Sequence, residues 1–203
     1  MSLHPFIATG TFVIVQNTNF MLAYSIINFH ELTPGNLCNV IANKFHFPIT
    51  HQTDQVMAYF NLERQEDRSA PAAADLQQLL FSRIQTETSQ LIRKESTVLF
   101  PVIRNISALN KSKKNIPPAA YQSIQQSFEK VLLLLQKLRQ ISANYQLQHH
   151  WSAAYKLCVN DIFITEQLLQ QWIYVEQNIL YPAAIPGHTV VITEHEINNI
   201  IID

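Results

Sequence analysis

From Leu32 to Tyr181 apolar side chains recur every three or four residues, broken only where proline falls beside a small polar residue. That period belongs to helices, and it leaves room for little else in the middle of the chain. Thr33-Pro34, Ser69-Ala70-Pro71 and Asn115-Ile116-Pro117-Pro118 each place proline near a first helical turn. There its missing N–H costs nothing, and Thr or Ser can cap the exposed donors. The reading gives helices at about 34–64, 72–104, 118–144 and 149–182, with linkers short enough to set neighbours antiparallel.

The second helix presents Leu80, Ile84, Leu91, Glu95, Val98 and Val102 on one face; the third presents Ile124, Phe128, Val131, Leu135 and Leu138. The fourth presents Leu157, Ile164, Leu168, Trp172, Glu176 and Ile179. Four such helices predict an all-α fold, an up-down four-helix bundle over residues 32–183. Pro48 removes a helical hydrogen bond and clashes with the preceding turn, so a kink is expected in the first helix. The flanking pieces, 1–31 and 184–203, are an N-terminal extension and a C-terminal tail. Each holds a β-branched run, 12–15 (Phe-Val-Ile-Val) and 190–192 (Val-Val-Ile), beside Gly10 or Gly187. The two runs are expected as short strands of a small β element that packs on the helices or on a second chain.

Only 14% of the 203 residues are charged and the net charge is −1, so neither a disordered polyelectrolyte nor a basic nucleic-acid or membrane surface is expected. Cys38 and Cys158 lie too far apart for a CxxC motif, and two cysteines make no disulfide framework. The opening Met-Ser-Leu-His has no basic, then apolar, signal pattern, and no apolar run approaches the roughly 18 residues of a membrane span. A cytoplasmic location is the expectation. Three glycines leave little room for a phosphate-cradling loop, and no nucleophile elbow or Ser-His-Asp order is present. His149 and His150 are adjacent, so on a helix they point about 100° apart and cannot share an ion. His4, His30, His188 and His195 have no companion ligands in sequence, and Lys111, Lys113 and Lys114 read as a solvated loop after a helix C-terminus.

One repeat carries chemistry. Glu95-Ser-Thr-Val-Leu-Phe-Pro101 returns as Glu176-Gln-Asn-Ile-Leu-Tyr-Pro182, and each copy sets a carboxylate on the apolar stripe of its helix. A buried carboxylate costs several kcal/mol (about that order) unless it is paired, protonated or bound to metal. With these segments the chain, from about Asn28 to Pro182, resembles the hemerythrin-like HHE family, and within it the iron-centre repair (RIC) branch. The approach Ile41-Ala-Asn-Lys-Phe-His46 and the stretch Leu138-Arg-Gln-Ile-Ser-Ala-Asn-Tyr145 support the likeness. The resemblance implies a hemerythrin-like four-helix bundle around a non-haem di-iron centre. Histidines four residues before each Glu, and single histidines from the other helices, would complete the ligand set.

Here the set is reduced. His46 matches the first-helix ligand and Glu95 and Glu176 match the bridging carboxylates, but Leu91, Phe128 and Trp172 stand where the family has its other three histidines. Residues 1–30 hold no cysteine, so the Cys-bearing N-terminal domain of the repair proteins has no counterpart there. Three large apolar replacements predict a site filled by side chains, with no cofactor and no catalysis: a non-catalytic binding or structural module. The alternative is a reduced iron site held by His46, Glu95 and Glu176. It would act in iron-centre repair or in the nitric oxide and oxygen stress response of bacteria, as the family does. The low surface charge makes a homodimer an expected assembly; the sequence identifies no other partner.

Overall fold

The computed structural model describes residues 11–12, 27–64, 66–109 and 116–185. They form four helical rods packed as a bundle. The first comprises α1 (Pro34–Ile41), a π-helical segment (Ala42–His46), α2 (Phe47–Ala58) and a second π segment (Tyr59–Glu63). The second comprises α3 (Ala73–Lys94), a π segment (Glu95–Leu99) and α4 (Phe100–Leu109). The third is α5 (Pro118–Ile141), and the fourth comprises α6 (Ala153–Val175), a π segment (Glu176–Leu180) and α7 (Tyr181–Ala184). α1 packs on α4, α2 on α3 and α6, and α3 on α5. No described helix is long and apolar enough to cross a membrane. Ahead of the bundle Thr11–Phe12 (β1) pairs antiparallel with Ile27–Asn28 (β2). Of the two runs expected as strands, 12–15 is described only at Phe12, and 190–192 lies outside the described residues.

The helix starts follow the punctuation, with one correction. Thr33 accepts the Asn36 N–H at 3.3 Å, with Pro34 in the first turn of α1, and Pro118 opens α5. Ser69, expected to cap the second helix, does not; α3 starts after Ala72 without a side-chain cap. Ser69 instead donates its N–H and hydroxyl to Asp67 and accepts the Ser152 N–H at 2.6 Å. Ser152 donates its hydroxyl to Asp67 while accepting the Tyr155 N–H at 3.0 Å, so one side chain caps α6 and ties it to the loop between the first two rods. These hydrogen bonds, that from Ser152 foremost, hold the Asp67 carboxyl down at about 2. Ser152→Ala removes both roles. It should cost about 1–2 kcal/mol in denaturant melts, the upper part of the range for a lost N-cap.

The disruption expected at Pro48 takes the form of a widened turn, and it occurs three times. Phe47-Pro48, Phe100-Pro101 and Tyr181-Pro182 each follow a π segment directly, and the N–H of the aromatic residue reaches five residues back, to Ala42, Glu95 and Glu176 respectively. A proline ring collides with the carbonyl four residues earlier, and the residue before it is steered away from α geometry. Opening one turn makes room without ending the helix. The π segment Tyr59–Glu63 precedes no proline and has no such explanation.

Each widened turn shifts the inner face by about one residue. Up to Glu95 the second rod buries Phe81, Ile84 and Leu91 at helical spacing. Beyond it the buried residues are Leu99, Phe100 and Ile103; Val102 is only partly buried and Val98 is 53% exposed. Leu157 and Ile164 of the fourth rod are likewise exposed, because α6 turns Tyr155, Cys158, Ile162 and Leu169 inward instead. The five residues expected inside the third rod are all buried.

The third helix ends at Ile141 rather than near residue 144 because Ala143, Asn144 and Tyr145 all have positive φ, of 47°, 55° and 61°. Left-handed backbone costs non-glycine residues roughly 1–2 kcal/mol each, so the turn needs an anchor. Glu166, buried in α6, supplies it. It accepts the Tyr145 hydroxyl on one oxygen and Arg139 Nε, at 2.9 Å, on the other, with the Arg139 guanidinium as ion-pair partner.

Candidate functional site

Three π segments bring three polar side chains into the core. His46 closes the segment Ala42–His46, while Glu95 and Glu176 each open one. All three are buried, and one ligand-capable atom from each lies within 4.8 Å of the others. His46 Nε2 is 3.0 Å from Glu95 Oε2. Glu176 accepts the Trp172 indole N–H at 2.8 Å on one oxygen and the Tyr181 hydroxyl at 3.2 Å on the other. His46 Nδ1 and Glu95 Oε1 have no hydrogen-bond partner among the described residues.

Aromatic rings enclose this cluster. Phe100 stacks on the His46 imidazole, centroids 5.4 Å apart and 8° from parallel, and Trp172 meets the same ring edge-on at 5.1 Å. Phe128 lies against Trp172 at 6.1 Å and Tyr181 at 6.5 Å. Leu91, Phe128 and Trp172 are fully buried.

The electrostatics follow from burial. Desolvation, then the neighbouring Glu176, pushes the Glu95 carboxyl well above the carboxylate range. Glu176 is raised to about 7 by burial, with the Glu95 carboxyl and then the Trp172 and Tyr181 donors working against the rise. Burial lowers His46 to about 4, so at neutral pH its ring is uncharged and cannot act as a counter-cation for Glu95. The His46–Glu95 contact is thus a neutral hydrogen bond rather than an ion pair, and Glu176 is the carboxyl of the cluster that ionises near neutral pH.

A di-iron centre does not fit these residues. Leu91 and Phe128 have no donor atom, and Trp172 offers an N–H that points at a Glu176 oxygen where an iron bond would form. His46, Glu95 and Glu176 supply three ligand side chains, fewer than the five or six that the resemblance implies for a di-iron centre. A single divalent ion is compatible in donor type, since one imidazole and two carboxylates form an open set used by non-haem iron.

No family model matches this sequence, and no curated protein matches it. The cluster must therefore be read on its own chemistry.

The other sequence candidates are not drawn into a site. His149 and His150 sit in an exposed turn before α6, where the His149 carbonyl accepts Lys156 Nζ at 3.0 Å. His30 is exposed. Cys38 and Cys158 are buried free thiols, and burial raises both, Cys38 to about 12. His4, His188, His195, Lys111, Lys113 and Lys114 lie outside the described residues. Sequence reasoning treated Trp172 only as filler and did not single out Tyr181 or Phe100. The spacing held the signal: Trp172 is four residues before Glu176, one turn along the same face.

Proposed function

We propose that this chain is a hemerythrin-like up-down bundle that keeps the helical scaffold and has exchanged its di-iron centre for a packed, hydrogen-bonded core, acting as a non-catalytic binding or structural module. The observation that carries the reading is the Trp172 indole, fully buried at a histidine position and donating to Glu176 at 2.8 Å. One side chain there fills the space and occupies the carboxylate oxygen that metal would need. The pairing of α1 with α4 and of α2 with α3 supports the up-down topology, since the start of one rod meets the end of the next.

A second reading has its own observation. His46, Glu95 and Glu176 converge within 4.8 Å, with one His46 nitrogen and one Glu95 oxygen unpartnered, which is a donor set that a single iron could bind. The two readings part on metal content. Protein purified without chelator from an iron-replete culture should contain well under one iron per chain by plasma emission analysis. Stoichiometric iron that His46→Ala removes would overturn the first reading in favour of the second.

A further inference from the structure

Where the second rod meets the start of α5, a shallow apolar groove is lined by Val98, Leu99, Ala120 and Ile124, with Lys94 and Ser123 among its walls. It adjoins a second depression over Arg93, Lys94 and Val98. Lys94 Nζ has only the Ser123 hydroxyl, at 3.4 Å, and among the described residues no carboxylate pairs with Lys94 or Arg93. Lys130, further along the same pair of rods, is by contrast ion-paired with Glu87. An apolar trough edged by unpaired cations fits a segment that joins apolar side chains with carboxylates and carries no positive charge.

The chain possesses such a segment, and it follows a short helix that packs on α5, the helix forming one wall of the groove. The described residues end at Ile185, just past α7, whose Tyr181 ring lies 5.1 Å from that of Tyr121. Tyr121 follows the groove residue Ala120 in α5. Residues 186–203 contain Glu194, Glu196 and Asp203, no Lys or Arg, and the apolar runs Val190-Val191-Ile192 and Ile200-Ile201-Ile202. At about 3.3 Å per extended residue, a segment of this length has ample reach to lie along the groove.

We infer that the groove is the docking site of the chain's own acidic C-terminal segment, 186–203, with Glu194 or Glu196 set against Lys94 and Arg93 and an apolar run over Val98. An exposed valine flanked by unpaired cations is then an internal contact. Occupation by a second copy or by another protein's acidic peptide is the competing outcome.

Zero-length carbodiimide cross-linking of the intact chain, followed by peptide mass spectrometry, tests this directly. The Lys130–Glu87 ion pair serves as an internal positive control. The expected result is an amide between Lys94 and Glu194 or Glu196 within one chain. Val98→Asp, a change at an exposed position, should lower its yield at least about fivefold, the change produced by about 1 kcal/mol of lost contact. A Lys130–Glu87 link without any link from Lys94 to the segment would overturn the inference. So would a Lys94 link formed only between chains in a mixture of isotope-labelled and unlabelled protein, or one whose yield Val98→Asp leaves unchanged.

Discussion

Replacing Glu95 or Glu176 by Gln should raise the melting temperature at pH 8. In the unfolded chain each carboxyl ionises near its ordinary value of 4.5. In the fold Glu176 keeps its proton to about 7, and Glu95 keeps its own well above the ordinary range, chiefly through burial. Between the unfolded and folded values the native state binds more protons than the unfolded state, so these groups make stability fall as pH rises; the loss is complete once pH passes the folded value. His46 acts in the opposite sense. Its folded value of about 4 lies below the ordinary 6.5, so it makes stability rise with pH between the two. The opposing slopes partly offset each other below pH 6.5. Above it the carboxyl effect stands alone, which makes pH 8 the informative condition.

A glutamine amide keeps the shape and an oxygen for hydrogen bonding without the charge. The gain should be at least about 1 kcal/mol, or about 2–4 °C for a chain of this size. It should shrink toward pH 5, where the carboxyls are protonated in the fold. Thermal melts of both variants across pH 5–8 in chelator, repeated with ferrous iron, check this. A large loss of stability in the variants, with iron stabilising only the parent, would mean that the carboxylates serve as ligands and that the metal-free reading fails.

Trp172→Ala should be the most damaging single substitution in the cluster. Truncating a fully buried aromatic residue costs roughly 3–5 kcal/mol, on the order of a 10 °C drop in melting temperature here. The indole also supports three neighbours at once: the His46 ring, the Phe128 ring and a Glu176 oxygen. Trp172→Phe divides the effect. It retains most of the packing and deletes the N–H, leaving a buried acceptor short of a donor at a cost of about 1–3 kcal/mol. If that hydrogen bond matters through the Glu176 charge, Trp172→Phe should be less costly in a Glu176→Gln background, and urea melts of the double-mutant cycle at pH 8 give the coupling. Additive effects would show that the indole acts by bulk alone.

The helices were legible because their starts are chemical events. Thr33-Pro34 and Pro117-Pro118 are read correctly without any knowledge of the core. The convergence of His46, Glu95 and Glu176 was legible too, since a charge on an apolar stripe demands a partner, and the repeat named two of the three. What pattern-reading missed came from geometry that a 3.6-residue period does not contain. An α-helical period carried across Glu95–Leu99 places Val98 inward, but the π segment there does not follow that period. Leu157 and Ile164 were chosen because they are apolar, yet on α6 the inward face is carried partly by Cys158, Thr165 and Glu166, whose polar atoms find partners or fit small spaces. The left-handed turn at 143–145 has no glycine to announce it; its anchor, Glu166, lies 21 residues after Tyr145 and is recognised only in three dimensions.

The widened turns also say which changes the chain can absorb. Between Glu95 and Pro101, and again between Glu176 and Pro182, the middle residues differ: Ser96-Thr97 is exposed, while Gln177-Asn178 is half-buried and Gln177 donates to Gln125. The number of residues between them does not differ. Deleting one would close the turn and, because the widened turn is what absorbs that residue, leave Leu99 and Ile103 on the inner face; the cost falls on Pro101, whose ring then meets the carbonyl four residues earlier. The widened turn is thus one residue of slack that the proline holds open, and removing that residue while also replacing the proline should restore a regular helix with the same inner face.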